Sequence, residues 1–122
     1  GKSVGDVTLS RLEAGSHSGT HIDAPLHFVP RGRSVDMIDP QDLVLPVSFV
    51  DLSYKAPGSR ITADDLRGRV LPGTAVALYT GFSRLRGKEE YLYKWPFLDR
   101  SAADLLASVG VKAVITEGPT FT

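Results

Sequence analysis

Apolar positions recur along this chain with two periods, and the switch between them outlines its elements. From Val7 to Leu12 apolar and polar residues alternate (Val-Thr-Leu-Ser-Arg-Leu), the spacing of a half-buried strand. Val47 to Leu52 reads as a buried strand, and Thr74 to Tyr79 is the most apolar strand of the chain, closed by Gly81. The period then lengthens: Ala102, Leu105, Leu106 and Val109 share one face of a helix that starts at Asp99 or Ser101 and ends at Gly110. Val111 to Thr116, rich in β-branched residues, is a final strand. A shorter helix is headed by Thr62, with Asp64 and Asp65 in its first turn, where carboxylates suit the helix dipole, and Gly68 placed to end it. Asp39-Pro40-Gln41-Asp42-Leu43 reads as a single helical turn with Asp39 as N-cap and Pro40 in the first helical position. From Val47 onward the order is strand, helix, strand, helix, strand, which predicts an α/β domain with parallel pairing.

Composition narrows the class. The 122 residues are the size of one domain, 1–122, and 42% hydrophobic with 23% charged residues is ordinary for a globular protein. Fourteen basic residues balance fourteen acidic ones, so no net field draws the chain to nucleic acid or to an anionic membrane. No apolar run approaches the ~20 residues of a membrane span. There are no cysteines, so any metal must be held by nitrogen and oxygen, and a cytoplasmic location fits. The chain opens on Gly1 rather than methionine, which predicts a processed or partial piece.

The chemistry is concentrated in one segment. All three histidines lie within His17-Ser-Gly-Thr-His21-Ile-Asp23-Ala-Pro-Leu-His27-Phe, with Asp23 among them. Positions 17, 21, 23 and 27 share one parity, so on an extended backbone three imidazoles and a carboxylate project to one side, unobstructed at Gly19. Ile22, Leu26 and Phe28 then face inward on the other side. Imidazole and carboxylate suit Zn, Mn or Fe better than Ca or Mg. Two histidines and a carboxylate hold such an ion with positions left open for water, which a bound metal makes a nucleophile near neutral pH. His27 is the candidate acid/base, since imidazole titrates close to ambient pH. A single histidine is more often a surface or core residue than a ligand; three with an aspartate at matched parity beside a glycine point to a metal.

His17-x-Gly-Thr-His21-x-Asp23-x-Pro25-x-His27 resembles the signature of the cyclase-type metal-dependent hydrolases, the family of bacterial kynurenine formamidase and isatin hydrolase, at all seven marked positions. The resemblance continues through Asp51-Leu-Ser53, Ile61-Thr62-x-x-Asp65-Leu66, Leu78-Tyr-Thr-Gly81, Tyr91, Pro96-Phe97-Leu98 and the Ala102-Ala103 helix. It implies a layered β/β/α, swivelling-domain-like α/β fold, incomplete at both ends. It implies His17, His21 and Asp23 as metal ligands, one or two Zn or Mn ions, and His27 as the group that handles protons while water attacks a carbonyl. The implied enzyme is an arylformamidase-like amidohydrolase of tryptophan catabolism that cleaves an amide, formamide, lactam or lactone of a small-molecule substrate as a homodimer or larger homo-oligomer. The alternatives are an isatin- or lactone-type ring-opening hydrolase, or a truncated, non-catalytic metal-binding module. The family draws further ligands, a His and a Glu, from a segment after the last strand seen here. This chain has no histidine beyond His27 and stops at Thr122, so it is expected to be a fragment.

Beside the motif, Phe28 is the candidate substrate-binding residue, because its place next to His27 is set by the motif. Glu117, just past a buried strand, could reach the site, but a structural role is the stronger expectation. Tyr91, Tyr93, Trp95 and Phe97 are expected in the core or at a subunit interface rather than in a pocket.

Overall fold

Strand and helix alternate through the second part of the chain as the apolar pattern predicts. The computed structural model describes residues 2–119. Its elements run β1 (Lys2–Val4), β2 (Val7–Leu9), β3 (Val47–Asp51), β4 (Arg60–Ile61), α1 (Ala63–Leu66), β5 (Ala75–Tyr79), α2 (Glu90–Tyr93), β6 (Phe97–Leu98), α3 (Arg100–Val109) and β7 (Ala113–Thr116), with 3-10 turns between. They fall into two compact units, Gly1–Asp42 and Leu43–Thr122.

In the first unit β1 and β2 form an antiparallel ribbon with Val4 opposite Val7 and Lys2 opposite Leu9. The strand expected from Val7 to Leu12 therefore stops at Leu9. It is exposed rather than half-buried, because a two-stranded ribbon has no second layer to cover a face. Three 3-10 turns follow, Pro25–His27, Val35–Met37 and Pro40–Leu43. Asp39 caps the last as expected, its Oδ1 accepting from the Gln41 N–H at 2.9 Å. None of residues 5–42 is buried: a segment of turns offers no continuous apolar face on which a core can close.

The second unit is built on a parallel sheet in the order β3-β5-β7, with β5 central. Phe49, Ala77 and Ile115 stand side by side, as do Val47, Ala75 and Ala113. On one face Val50, Val76 and Leu78 join Leu52, Ile61, Leu66, Val70, Ala102 and Leu106 in the core. Fully burying side chains such as Leu52, Leu66 and Val76 contributes about 1.5–3 kcal/mol each. The strand at 47–51 is buried only at alternate positions, Ser48 and Val50; Phe49 points away from the core and stacks on Tyr79 at 5.8 Å.

Capping explains where the helices begin. Asp65, three residues into α1, accepts from the backbone N–H of Thr62 at 2.7 Å and closes a capping box. Of the two starts available to α3, Asp99 is the N-cap: its Oδ1 accepts from the Ala102 N–H at 3.0 Å. Gly110, in the left-handed region at φ 85°, ends the helix. The pattern does not outline β4, β6 and α2, since two to four residues are too few to display a period. β4 and β6 pair in parallel, Ile61 beside Leu98, along the edge of the core.

Candidate metal centre

The histidine segment is not an extended strand. Residues 16–24 run through turns and irregular backbone, and Pro25–His27 is a 3-10 turn with proline in its first position. The expectation that parity brings the side chains to one side is therefore corrected. The segment bends instead at Gly19, whose φ of 65° lies in the left-handed region that glycine enters without a Cβ penalty. The bend covers residues 19–20, and the His17 and His21 rings meet with centroids 5.1 Å apart. The expected inward face is also absent: Ile22, Leu26 and Phe28 are 44%, 49% and 61% exposed.

Three ligand-type atoms meet at one point. His17 Nδ1 lies 2.8 Å from Asp23 Oδ1 and 3.3 Å from His21 Nε2, and His21 Nε2 lies 3.3 Å from the same carboxylate oxygen. The other nitrogen of His21, Nδ1, donates to the Gly19 carbonyl at 2.8 Å. A carbonyl oxygen can only accept, so the proton of a neutral His21 ring resides on Nδ1 and Nε2 turns its lone pair inward. A backbone partner of this kind orients metal-binding histidines. Ligands 2.0–2.1 Å from a four-coordinate zinc lie roughly 3.4 Å apart; the two 3.3 Å separations are close to that, and the 2.8 Å pair is at hydrogen-bonding distance. Without an ion, His17 Nδ1 donates its proton to the Asp23 carboxylate. With that nitrogen deprotonated, its lone pair, the His21 Nε2 lone pair and the carboxylate oxygen form an acceptor set that a divalent cation would satisfy.

His27 is not one of the three. Its ring stacks on that of His17, centroids 4.0 Å apart and planes tilted 31°. Phe28 also meets the His27 ring, in a T-shaped arrangement with centroids 4.3 Å apart. The His27 imidazole is thus in contact with a ring of the convergent trio and with an exposed aromatic ring, and it remains exposed itself. Hydrogen bonds within the backbone hold the turn: His27 N–H to Ala24 O at 2.9 Å, Val29 N–H to Pro25 O at 2.8 Å and Leu26 N–H to Arg33 O at 3.0 Å.

In the second unit Glu117 closes a loop. Its Oε1 accepts from the backbone N–H groups of Thr80 and Gly81 at 2.6 and 2.7 Å and from Thr80 Oγ1 at 3.3 Å; Oε2 accepts from the Ser83 N–H at 3.0 Å. Partial burial pushes this carboxyl up, but the hydrogen bonds from Ser83, Thr80 and Gly81 outweigh it and hold the group below the ordinary glutamate range. Tyr91 donates its hydroxyl to the Glu117 carbonyl at 2.8 Å and stacks on buried Phe82. The aromatic run divides: Tyr91, Trp95 and Phe97 are half-buried, whereas Tyr93 is 71% exposed. Neither the clamp on residues 80–83 nor the Gly19 carbonyl stands out in the sequence, because both depend on main-chain groups that every residue carries.

Comparison with known proteins extends these observations. The cyclase family matches residues 4–121. Kynurenine formamidase of Geobacillus thermodenitrificans is 29% identical over 117 residues, 95% of this chain and 54% of that protein. A structure described as a potential metal-dependent hydrolase with cyclase activity superposes with a TM-score of 0.80 at 31% identity, over 92% of this chain and 54% of that one. Isatin hydrolase A of Labrenzia aggregata, solved with benzyl benzoate, gives 0.73 at 28% identity, over 87% and 49%. The chain thus spans about half the length of the proteins it matches. The family match takes in the histidine segment and the parallel sheet alike, and the chain accordingly belongs to the cyclase family.

Proposed function

We propose that this chain carries the metal-binding segment of a metal-dependent hydrolase, with His17, His21 and Asp23 as ligands of a Zn or Mn ion, one or two in number, and His27 as the proton carrier. The observation that carries the reading is the triangle of Nδ1, Nε2 and Oδ1 atoms at 2.8–3.3 Å, with the His21 tautomer set by Gly19. When bound, the ion supplies Lewis acidity toward water and a carbonyl. The protein's own part is to present three ligand atoms from one short segment and to hold a titratable imidazole beside them. His27, stacked on His17 and exposed to solvent, can take a proton from water and return it to a departing nitrogen or oxygen through the same ring. Phe28 presents an exposed apolar ring against that imidazole, which suits a flat or aromatic acyl substrate.

The substrate is a small molecule with an amide, formamide, lactam or lactone bond, and an arylformamidase-like reaction is the first choice because kynurenine formamidases recur among the relatives. That choice places the whole protein in tryptophan catabolism, as a cytoplasmic homo-oligomer. Likeness to isatin hydrolase A supports ring opening as the second choice. The convergent trio alone also supports a third reading, a metal-binding module without turnover. Zinc- or manganese-loaded protein assayed with N-formylkynurenine, isatin and simple lactones separates the three. Turnover lost in His27→Ala while the metal stays bound supports the enzyme; metal uptake with no turnover on any of these substrates leaves only the module.

A further inference from the structure

We infer that Gly32 is a positioning residue for His27, acting through bare steric contact with the peptide that carries the histidine turn; the catalytic part of this inference rests on the function proposed above. A Cβ built on Gly32 would lie 2.8 Å from the carbonyl carbon of Pro25, 2.9 Å from the nitrogen of Leu26 and 2.9 Å from the carbonyl oxygen of Val29. All three are main-chain atoms, so no side-chain rotation makes room. Ordinary contacts of a Cβ begin near 3.4 Å, so the turn must move by roughly half an ångström or more.

Gly32 thus lies flat against the Pro25–Leu26 peptide, which leads through Leu26 directly to His27. Its own N–H donates to Val29 O at 2.8 Å, and its neighbour's carbonyl, Arg33 O, accepts from the Leu26 N–H at 3.0 Å. The backbone at Gly32 does not lie in the left-handed region, so the conformation itself admits any residue and only space demands glycine. Arg31, just before it, is the one non-glycine at positive φ among the described residues, at 64°. The loop accepts strain at Arg31 in order to bring a residue without a side chain against the turn. Displacing that turn alters how the His27 ring meets those of His17 and Phe28, while His21 and its Gly19 anchor lie upstream of the disturbance.

The test compares Gly32→Ala with Arg31→Gly, which keeps the loop shape and removes the strain. In metal-free protein, imidazole NMR signals report ring stacking directly. Gly32→Ala is expected to move the His27 signals and leave those of His21 in place, and Arg31→Gly to leave both. Zinc affinity of Gly32→Ala stays within about threefold of wild type, well inside the 10–100-fold that loss of a ligand-supporting contact costs. With metal and a substrate that the wild type turns over, kcat falls about 10- to 100-fold at little-changed KM, as expected for a displaced catalytic group. Coincident His27 signals in Gly32→Ala and wild type overturn the inference. Collapse of all histidine and core signals together also overturns it, since Gly32 is then a general folding residue. Should wild-type protein lack turnover or zinc binding, the proposed function fails, yet the metal-free signals still decide whether Gly32 positions His27.

Discussion

Replacing Glu117 by glutamine changes one atom and separates a structural carboxylate from a metal ligand. In the native loop Oε1 takes three donors and Oε2 takes the Ser83 N–H at 3.0 Å. The amide oxygen of glutamine can occupy the Oε1 position, but its NH2 then faces the Ser83 N–H, donor against donor. One charge-assisted hydrogen bond, about 1.5–3 kcal/mol, is lost, and the bonds that remain lose their charge. Because the side chain is only partly buried, the lower part of that range applies: about 2 kcal/mol. For a unit of this size such a loss lowers the thermal midpoint by roughly 10 °C. The assay is thermal and urea unfolding of both proteins near neutral pH, paired with zinc titration. The expected outcome is this destabilisation with zinc affinity within about twofold of wild type, since the carboxylate is already committed to the loop. A loss below about 0.5 kcal/mol, the noise of a surface change, refutes the clamp. A fall in zinc affinity of 10-fold or more refutes the assignment of Glu117 to the fold alone.

Other perturbations follow from single contacts. Partial burial pushes Asp65 up, but hydrogen bonds from Lys55, Thr62 and Tyr54 outweigh it and hold the carboxyl at about 2 against an ordinary 3.8. A depressed folded pKa stabilises above the unfolded value and is lost as pH falls. Stability from Asp65, about 1 kcal/mol after allowance for solvent screening, therefore disappears between pH 3.8 and about 2. Asp65→Asn should flatten that part of the acid unfolding curve. Gly81, at φ 68°, would place a Cβ 3.0 Å from Arg84 Nη1, so Gly81→Ala should cost about 1–2 kcal/mol in urea unfolding; an unchanged midpoint contradicts the left-handed turn.

Legibility in the sequence followed the range of the interactions. Asp99 and Gly110 delimit α3, and Thr62 with Asp65 opens α1, because caps act over three or four residues and leave their mark in order and spacing. The β3-β5-β7 sheet was legible from apolar runs separated by helices. The grouping of the histidine segment was legible and its shape was not. His17, His21 and Asp23 do converge, but on a chain bent at Gly19 rather than through strand alternation, and equal parity was a coincidence of spacing. Burial of Ile22, Leu26 and Phe28 was misjudged for the same reason, since alternation between faces holds only on an extended chain. The Gly32 contact and the Glu117 clamp involve main-chain atoms distant in sequence, for which no side-chain pattern exists.

Zinc titration of the intact chain by calorimetry, alongside His17→Ala, His21→Ala and Asp23→Ala, addresses the central claim most directly. The geometry predicts saturable uptake in the micromolar range or tighter, and a loss of affinity of about 100-fold or more in each single variant, beyond what a supporting contact costs. Wild-type protein that takes up neither zinc nor manganese contradicts it, as do variants that bind as tightly as the wild type.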